Sequence, residues 1–541
     1  MRKRLRGAGF SAVAAALAAV GLAASAPAQP GPPHLLGLRI SNGGTPFAGD
    51  TPWLATVSPN DDGFRDRALI RFKLDRPATV EIRAVATAEA ERPAETVWKV
   101  RRQLAAGPHV IAWGPKRSTP SRTYLLRFVV AGSNGARRVY GFEAPRRKEL
   151  TSGLVVHVQG VEAGFLARSY PVGGEATVAI ASDARRVKLQ LFSFATVPRP
   201  TVHDLRTGGV PVAPAVRIDW QRRGSATRYV QIGPAGVARS GLYFLRVTTS
   251  DRRVGYAPLI LRPRTLGVHR VAVVLSTNTW QAHNFDDATG DGWGDSWNVG
   301  AATRTVDLRR PYLDFGVPAR FRDWNLSFIS WLNRTGKSVD YLSDDDLERV
   351  RSGEALHRAY DLVVFPGHEE YASGHVYDVV RRYRDLGGRL MFLAGNNFLW
   401  RVKREGQLLR RTAMWRTLGR PEASLVGVQW AGSTGGRRRA PYVVQGATTS
   451  PWAFAGTGLR NGSRFGRYGL EIDARAPGSP AGTRLLARIR VLIGRHDAEM
   501  TYYETGAGAR VFAAGVVDFA ASINQPAVSR LVDNVWSRLV R

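Results

Sequence analysis

Apolar and polar positions alternate with a period of two from Leu35 to about Ala144, and turn residues break the alternation at short intervals. Arg67–Leu74 and Ala78–Ala86 read as strands joined by a tight Asp75-Arg76-Pro77 turn. Val97–Gln103, His109–Trp113, Thr123–Ala131 and Arg137–Phe142 continue the series, with Ser133-Asn134-Gly135 as a hairpin turn. Strands at this spacing predict a small β-sandwich over residues 35–145. A second β-sandwich-like module is expected over 150–264, from Glu175–Ser182, Arg186–Phe194, Arg228–Ile232, Leu242–Ser250 and Tyr256–Arg262. Pro- and Gly-rich turns such as Pro198–Pro200 and Thr207–Pro214 separate these runs. No acid/base or metal-ligand spacing occurs in this module, so it reads as scaffold.

After Arg264 the rhythm changes to strand, helix, strand. Val268–Ser276 is a near-continuous apolar run, the pattern of a strand buried on both faces. Trp324–Leu332 and Asp344–Arg351 read as helices, and Tyr360–Phe365 as a second buried strand. Ser373–Leu386 places Val376, Val379, Val380 and Tyr383 on one face of a helix that Gly387-Gly388 ends. Arg389–Leu393 is a third strand, and Arg510–Val516 and Pro526–Val540 give a closing strand and helix. This alternation predicts an α/β doubly wound parallel sheet over 265–541, with ligands at the carboxyl ends of its strands. Residues 400–505 break the rhythm and are expected as a β-rich insertion beside the site.

The N-terminus adds a targeting segment. Met1–Arg6 is basic, Phe10–Ala24 is apolar and too short to span a bilayer, and Ala24-Ser25-Ala26 and Ala26-Pro27-Ala28 are small-residue cleavage patterns. Residues 1–28 therefore read as a signal peptide and Pro30-Gly31-Pro32-Pro33 as a linker. No later stretch reaches 18 apolar residues, so no membrane span is expected, and the location expected is secreted or the extracytoplasmic cell envelope. The 541 residues are too many for one core. Lys and Arg number 77 against 44 Asp and Glu, a formal net charge of +33, but the arginines scatter instead of forming a stripe. Nucleic acid is therefore not an expected partner. The chain has no cysteine, which excludes disulfides, thiol nucleophiles and thiolate metal sites.

Candidate chemistry gathers at the predicted strand ends. His368-Glu369-Glu370-Tyr371 follows Val363-Val364-Phe365 and offers an imidazole, two carboxylates and a phenol. Such a set supplies an acid/base pair or metal ligands, or else opens a helix whose N-terminus favours the acids. His375, four residues past Tyr371, can reach the same side. Asn396 and Asn397 either offer amides to a ligand or satisfy the strand-to-loop backbone. The loop His283–Asp295 is the most polar at a strand end; Asp287, Asp291 and Asp295, with Gly290, Gly292 and Gly294 between them, approximate a Ca²⁺ loop. Thr289 stands where its middle Asp belongs, and an acidic solvated loop is the alternative. Ten of the fourteen tryptophans lie in the last module, and Trp280, Trp293, Trp297 and Trp400 fall near strand ends, where some would line an aromatic cleft. Glu471 and Asp473, two apart on a predicted strand, share a face. The expected cleft lies between the Trp280–Asp295 loop, the His368–Tyr371 turn and the Asn396–Asn397 turn. Its chemistry would rest on His283, Asn284, His368, Glu369, Glu370 and Tyr371, with Trp280, Asn396, Asn397 and Trp400 touching the ligand.

Two resemblances add to this. Ser58-Pro59-Asn60-Asp61-Asp62-Gly63-Phe64-Arg65-Asp66, with the later Gly107–Trp113 segment, resembles bacterial Ig-like modules, including those of flagellar hook-cap type, which open on Ser-Pro-Asn-x-Asp-Gly. Asn60, Asp62 and Asp66 there either hold Ca²⁺ or cap backbone N–H groups. Leu275–Asn284, with Thr279-Trp280-Gln281-Ala282-His283-Asn284, resembles the Thr-Trp-Gln-Ala-Tyr-Asn signature of the N,N-dimethylformamidase large (beta) subunit family. Gly367–Tyr371, Gly387–Trp400, the Val511–Gly515 strand with its terminal helix, Gly241-Leu242-Tyr243 and Gly255-Tyr256-Ala257-Pro258 agree in order, so the resemblance covers roughly residues 150–541. It implies an amidohydrolase that cleaves a small amide with a mononuclear iron held by tyrosine and glutamate. Tyr371 matches the tyrosine of the family's His-x-Glu-Tyr run. Leu326 and Phe328 stand where a second tyrosine is wanted, and Arg410–Arg416 replaces the run that carries the ligand glutamate. The architecture is also similar to class I glutamine amidotransferase-like domains, whose cysteine turn corresponds to Ala394–Asn397; without cysteine that chemistry is excluded. Three readings follow. The first is a secreted hydrolase of a C–N or related bond. The second is a catalytically degenerate envelope protein that binds a cell-wall glycan or small ligand, with the Ig-like modules as spacers. The third is a purely structural envelope protein. The need for a partner subunit stays open.

Overall fold

Period-two alternation folds as strand throughout the first half of the chain. The computed structural model describes residues 31–89, 93–141, 153–194, 209–220, 227–233, 237–298, 303–434, 438–469, 471–493 and 496–540. The expected signal peptide, 1–28, and the expected Pro198–Pro200 turn lie outside them. Leu35–Ser41, Ala68–Leu74 and Gly107–Trp113 form one antiparallel sheet. Leu54–Val57, Leu154–Val158, Arg122–Ala131, Ala78–Ala86 and Glu95–Leu104 line up in a second, with Arg137–Tyr140 paired to its middle. Their inward residues, among them Ile70, Val80, Ile82, Trp113, Tyr124 and Phe128, bury a shared core. In the Ser58–Asp66 turn, Asp66 accepts from the N–H groups of Asn60 and Gly63, and Asp62 from that of Phe64. Ala176–Ala181 is flanked by Glu162–Phe165 and Arg228–Ile232, and faces a sheet built on Arg186–Ser193, Gly241–Thr249 and Val254–Arg262.

The remainder is organised by one nine-stranded sheet. Asp340–Ser343, Val271–Leu275, Leu362–Phe365, Arg389–Phe392 and Arg510–Ala513 lie side by side in parallel. The sheet then continues antiparallel through His496–Glu504, Arg484–Ile493, Arg439–Val444 and Arg464–Gly469. This corrects the expected doubly wound α/β domain of glutamine amidotransferase-like type. The region expected as a β-rich insertion donates four antiparallel strands to the same sheet, and among the described residues strand accounts for 42% against 17% for helix. The apolar runs Val271–Leu275 and Leu362–Phe365 are buried throughout, because alternate residues feed opposite cores. Val273, Val364 and Phe512 pack towards Phe328, Trp331, Leu531 and Val535 on one side. Val274, Phe365 and Phe392 pack towards Val376, Val380 and Tyr383 on the other. Gly374–Asp385 is the amphipathic helix foreseen, capped where Ser373 Oγ accepts from Val376 N. Among the described residues no helix is long and apolar enough to cross a membrane.

Gly515 closes the sheet against the site region. Its φ is +73°, and an added Cβ would lie 2.0 Å from the Glu499 carbonyl oxygen, while its own carbonyl accepts from Asp473 N at 2.9 Å. Gly508, at φ +87°, has open space around it. Gly515→Ala should cost about 3 kcal/mol of unfolding free energy through strain and clash together. Gly508→Ala should cost about 1 kcal/mol through backbone conformation alone. Urea denaturation of both variants measures the difference.

Candidate active site

Three parallel strands deliver the site at their carboxyl ends. Val271–Leu275 leads through Ser276 into the short helix Thr277–Ala282, which His283 ends. Leu362–Phe365 leads through Pro366 and Gly367 to His368-Glu369-Glu370-Tyr371. Gly367 admits no side chain here, since a Cβ would meet Asn325 Nδ2 at 2.5 Å and Ser276 Oγ at 3.0 Å. The two segments are sewn together by main-chain contacts: Glu370 N donates to Thr279 Oγ1 at 3.2 Å, and Asn278 Nδ2 to the Tyr371 carbonyl at 3.2 Å. From the other side the turn after Arg389–Phe392 returns Phe398 N and Trp400 N to the carbonyls of Glu369 and Glu370.

This brings His283, His368, Glu370 and Tyr371 into one buried cluster. His368 Nε2 lies 2.9 Å and His283 Nε2 3.1 Å from the same oxygen, Glu370 Oε2. The Tyr371 hydroxyl is 3.1 Å from His283 Nε2. Among the described residues, His283, His368 and Glu370 are the one group of three or more histidines or acids whose donor atoms all fall within 4.8 Å of one another. Burial works against the Glu370 charge, but hydrogen bonds from both imidazoles outweigh it and hold the carboxyl far below the usual range. Burial also lowers His283, whereas for His368 the Glu370 contact overcomes burial and raises it. The Tyr371 phenol is pushed well above its ordinary value by burial and by the Glu370 charge, so it stays protonated.

The walls are aromatic. Trp324 stacks on His368 with centroids 4.9 Å apart, and Trp297 meets Tyr371 at 4.6 Å. Trp324 and Asn325 sit on a π-helical turn, Arg322–Leu326, that precedes the helix Ser327–Arg334. A period-3.6 reading of Trp324–Leu332 does not reveal that turn, and Asn325 was not among the expected site residues. Its Oδ1 accepts from Trp280 Nε1 at 3.2 Å, while its Nδ2 is buried without a partner. Arg411 lies over the rings of Trp400 and Trp297.

The other expected residues divide. Glu369 turns away from the cluster and shares a hydrogen bond with Asp344, which also accepts from Asn278 N at 2.7 Å. Burial lifts both acids, Asp344 to about 6 and Glu369 well above its ordinary value, so the pair keeps a proton between them. In the sequence Asp344 was legible only as the start of the predicted helix Asp344–Arg351; the structure sets it after the strand Asp340–Ser343, beside Val271–Leu275. Asn284 braces its own loop, donating to Gln281 Oε1 and the Pro311 carbonyl. Trp280 packs edge-on against Phe321 and Tyr312 in the core. Asn396, at φ +59°, donates its N–H to both Asp473 oxygens at 2.8 Å and its amide to Glu471. Glu471 and Asp473 thus share a face; burial raises both, Asp473 to about 7, and Glu471 feels the charges of His368 and Glu370. Asn397 Nδ2 donates to the Ala394 carbonyl, Trp293 and Trp400 are half-buried, and His375 points to the Val350 carbonyl. In the acidic loop, Asp287 accepts from Gly290 and Gly292 N–H, Asp295 from Thr289 and Asp291 from Trp293.

The chain belongs to the N,N-dimethylformamidase beta subunit-like, C-terminal family, whose model matches residues 215–531. Among named relatives, the N,N-dimethylformamidase beta subunit of Paracoccus aminophilus is 24% identical over 343 residues, 50% of this chain and 44% of that one. The protein of the same name from an Alcaligenes species is 24% identical over 280 residues, 40% of this chain and 36% of that one. The chain therefore spans less than half the length of either. Among solved structures, Escherichia coli alpha-2-macroglobulin is 11% identical, covering 42% of this chain and 16% of that one at a TM-score of 0.23, too low to bear on the fold.

Where the acidic loop meets the β-rich half, His157 Nε2 lies 2.7 Å from Glu162 Oε1, near Asp286 and Asp287. Burial disfavours the imidazolium, but Glu162 outweighs it and raises His157 to about 9. A raised histidine stabilises fully below its ordinary value of about 6.5 and loses that contribution as pH climbs through the folded value. The melting temperature should therefore fall between about pH 6.5 and 9, and His157→Gln should flatten that slope. Thermal melts across this range check it.

Proposed function

We propose that this protein hydrolyses the C–N bond of a small amide at the His283–His368–Glu370 cluster. What carries the reading is the convergence of two imidazoles and one carboxylate from separate strand ends at a site where each residue is at most 7% exposed. Two nitrogen donors and an oxygen donor suit a first-row divalent metal, so the residues present fit one, and His283, His368 and Glu370 would hold it. Such an ion supplies Lewis-acid polarisation of the amide carbonyl and a bound water of lowered pKa.

The chain's own groups do the rest. Trp324 and Trp297 exclude bulk water and strengthen every polar contact inside. Tyr371, kept protonated, offers its hydroxyl proton beside His283 and Glu370. Asn325 Nδ2, Ser276 Oγ and Asn396 Oδ1 are buried without partners and remain free to orient a substrate's carbonyl and amine. Glu471, raised by burial and hydrogen-bonded to Asn396, is placed to take up a proton at its carboxylate.

N,N-dimethylformamide is the first substrate to try, since the relatives are named for it. Metal-loaded protein should turn it or a close small amide over. Glu370→Gln and His283→Gln should each lower the rate at least about 100-fold with the fold intact by circular dichroism. Unchanged rates in both variants would remove the cluster from the chemistry. No turnover of any small amide by the loaded wild type would remove the activity.

A further inference from the structure

Arg168, on the loop after the strand Glu162–Phe165, is only 8% exposed. Its Nε and Nη2 are buried and have no hydrogen-bond partner. The charged and ionisable groups it faces are Tyr312, Asp345, Arg404 and Asp307. Both of those carboxylates already serve other arginines: Asp345 pairs with Arg404, and Asp307 takes Arg309 at 2.8 Å. Nearby Arg310, 5% exposed, adds a second buried cation and donates to the carbonyls of Gln281, Asn284 and Asp286. Arg310 has counter-charges of its own in Asp286, Asp295 and Asp307, so the guanidinium left without a partner is that of Arg168. An uncompensated guanidinium out of water is costly, and native structures place a counter-charge beside it.

A cavity of about 20 Å³ opens beside Arg168, with Phe165, Thr277, Trp280, Gln281 and Tyr312 among its other walls. That is room for a small body set against the guanidinium. Water would fill the space but leave the charge uncompensated, and a monatomic anion is the smallest body that supplies the counter-charge. We propose that this cavity is a binding site for a single halide ion, chloride in ordinary salt, held by the Arg168 guanidinium. The far wall is the helix Thr277–Ala282, which ends at His283. The ion therefore ties the Glu162–Arg168 segment to the helix that presents an imidazole to the cluster. The site stands apart from the proposed hydrolysis and does not rest on it.

The test is the melting temperature of the full chain in chloride, bromide and gluconate salts at one ionic strength. Chloride and bromide should raise it saturably over gluconate, by on the order of 2 °C, and Arg168→Met should abolish the difference. Wild-type crystals soaked in bromide should show an anomalous peak between Arg168 and Gln281. Equal melting in all three salts, or a chloride effect that survives in Arg168→Met, overturns the proposal. Should that variant fail to fold, a bromide-soaked wild-type crystal with no peak in this cavity overturns it alone.

Discussion

One oxygen atom, Glu370 Oε2, receives the Nε2 atoms of both His283 and His368, and most of the C-terminal half can be traced to the demands of that contact. A carboxylate this deeply buried keeps its charge only if donors compensate for lost water. The two donors come from segments 85 residues apart, His283 and His368, so they meet only because their parent strands lie side by side in parallel and leave the sheet at one edge. Parallel pairing of Val271–Leu275 with Leu362–Phe365 needs a long crossover, which the Thr305–Asp307 strand, the π-helical turn and the helices between them supply. That crossover also carries Trp324 and Asn325, so the connection that permits the pairing builds a wall of the site.

Buried charge elsewhere is handled by the same economy. Asp473 rests on the backbone N–H of Asn396, and Asp344 and Glu369 keep a proton between them. The β-rich half takes part too: Ser169 Oγ donates to Asp346, Thr87 Oγ1 to the Gly292 carbonyl, and His157 stands beside Asp286 and Asp287. Two of these contacts reach the Asp286–Gly292 loop that follows His283, and Ser169 reaches the helix Asp344–Arg349 beside it.

How much of this could be read in advance depended on whether the signal was local. Buried strands were legible because an unbroken apolar run has few alternatives: Val268–Ser276 contains the observed Val271–Leu275, and Tyr360–Phe365 contains Leu362–Phe365. The helix Gly374–Asp385 was legible from its stripe and glycine stop. His283, His368, Glu370 and Tyr371 were legible as polar groups at strand ends, where chemistry concentrates in parallel sheets. What was hidden was partnership. Nothing local says that Glu369 faces Asp344 while its neighbour Glu370 faces two imidazoles, because adjacent residues at a strand end point oppositely and their partners are distant in sequence. The continuation of the parallel strands into four antiparallel ones was hidden for the same reason. Residues 400–505 read only as β-rich, and long-range pairing alone decides which sheet Arg439–Val444 and Arg484–Ile493 join.

The central claim is that His283, His368 and Glu370 act together as the ligand set of one metal ion. X-ray absorption on protein loaded with one equivalent of a first-row divalent metal tests it most directly. The account predicts a light-atom shell with the scattering signature of two imidazoles, reduced to one imidazole in His368→Gln. A shell without imidazole scattering, or one that His368→Gln leaves unchanged, would contradict it.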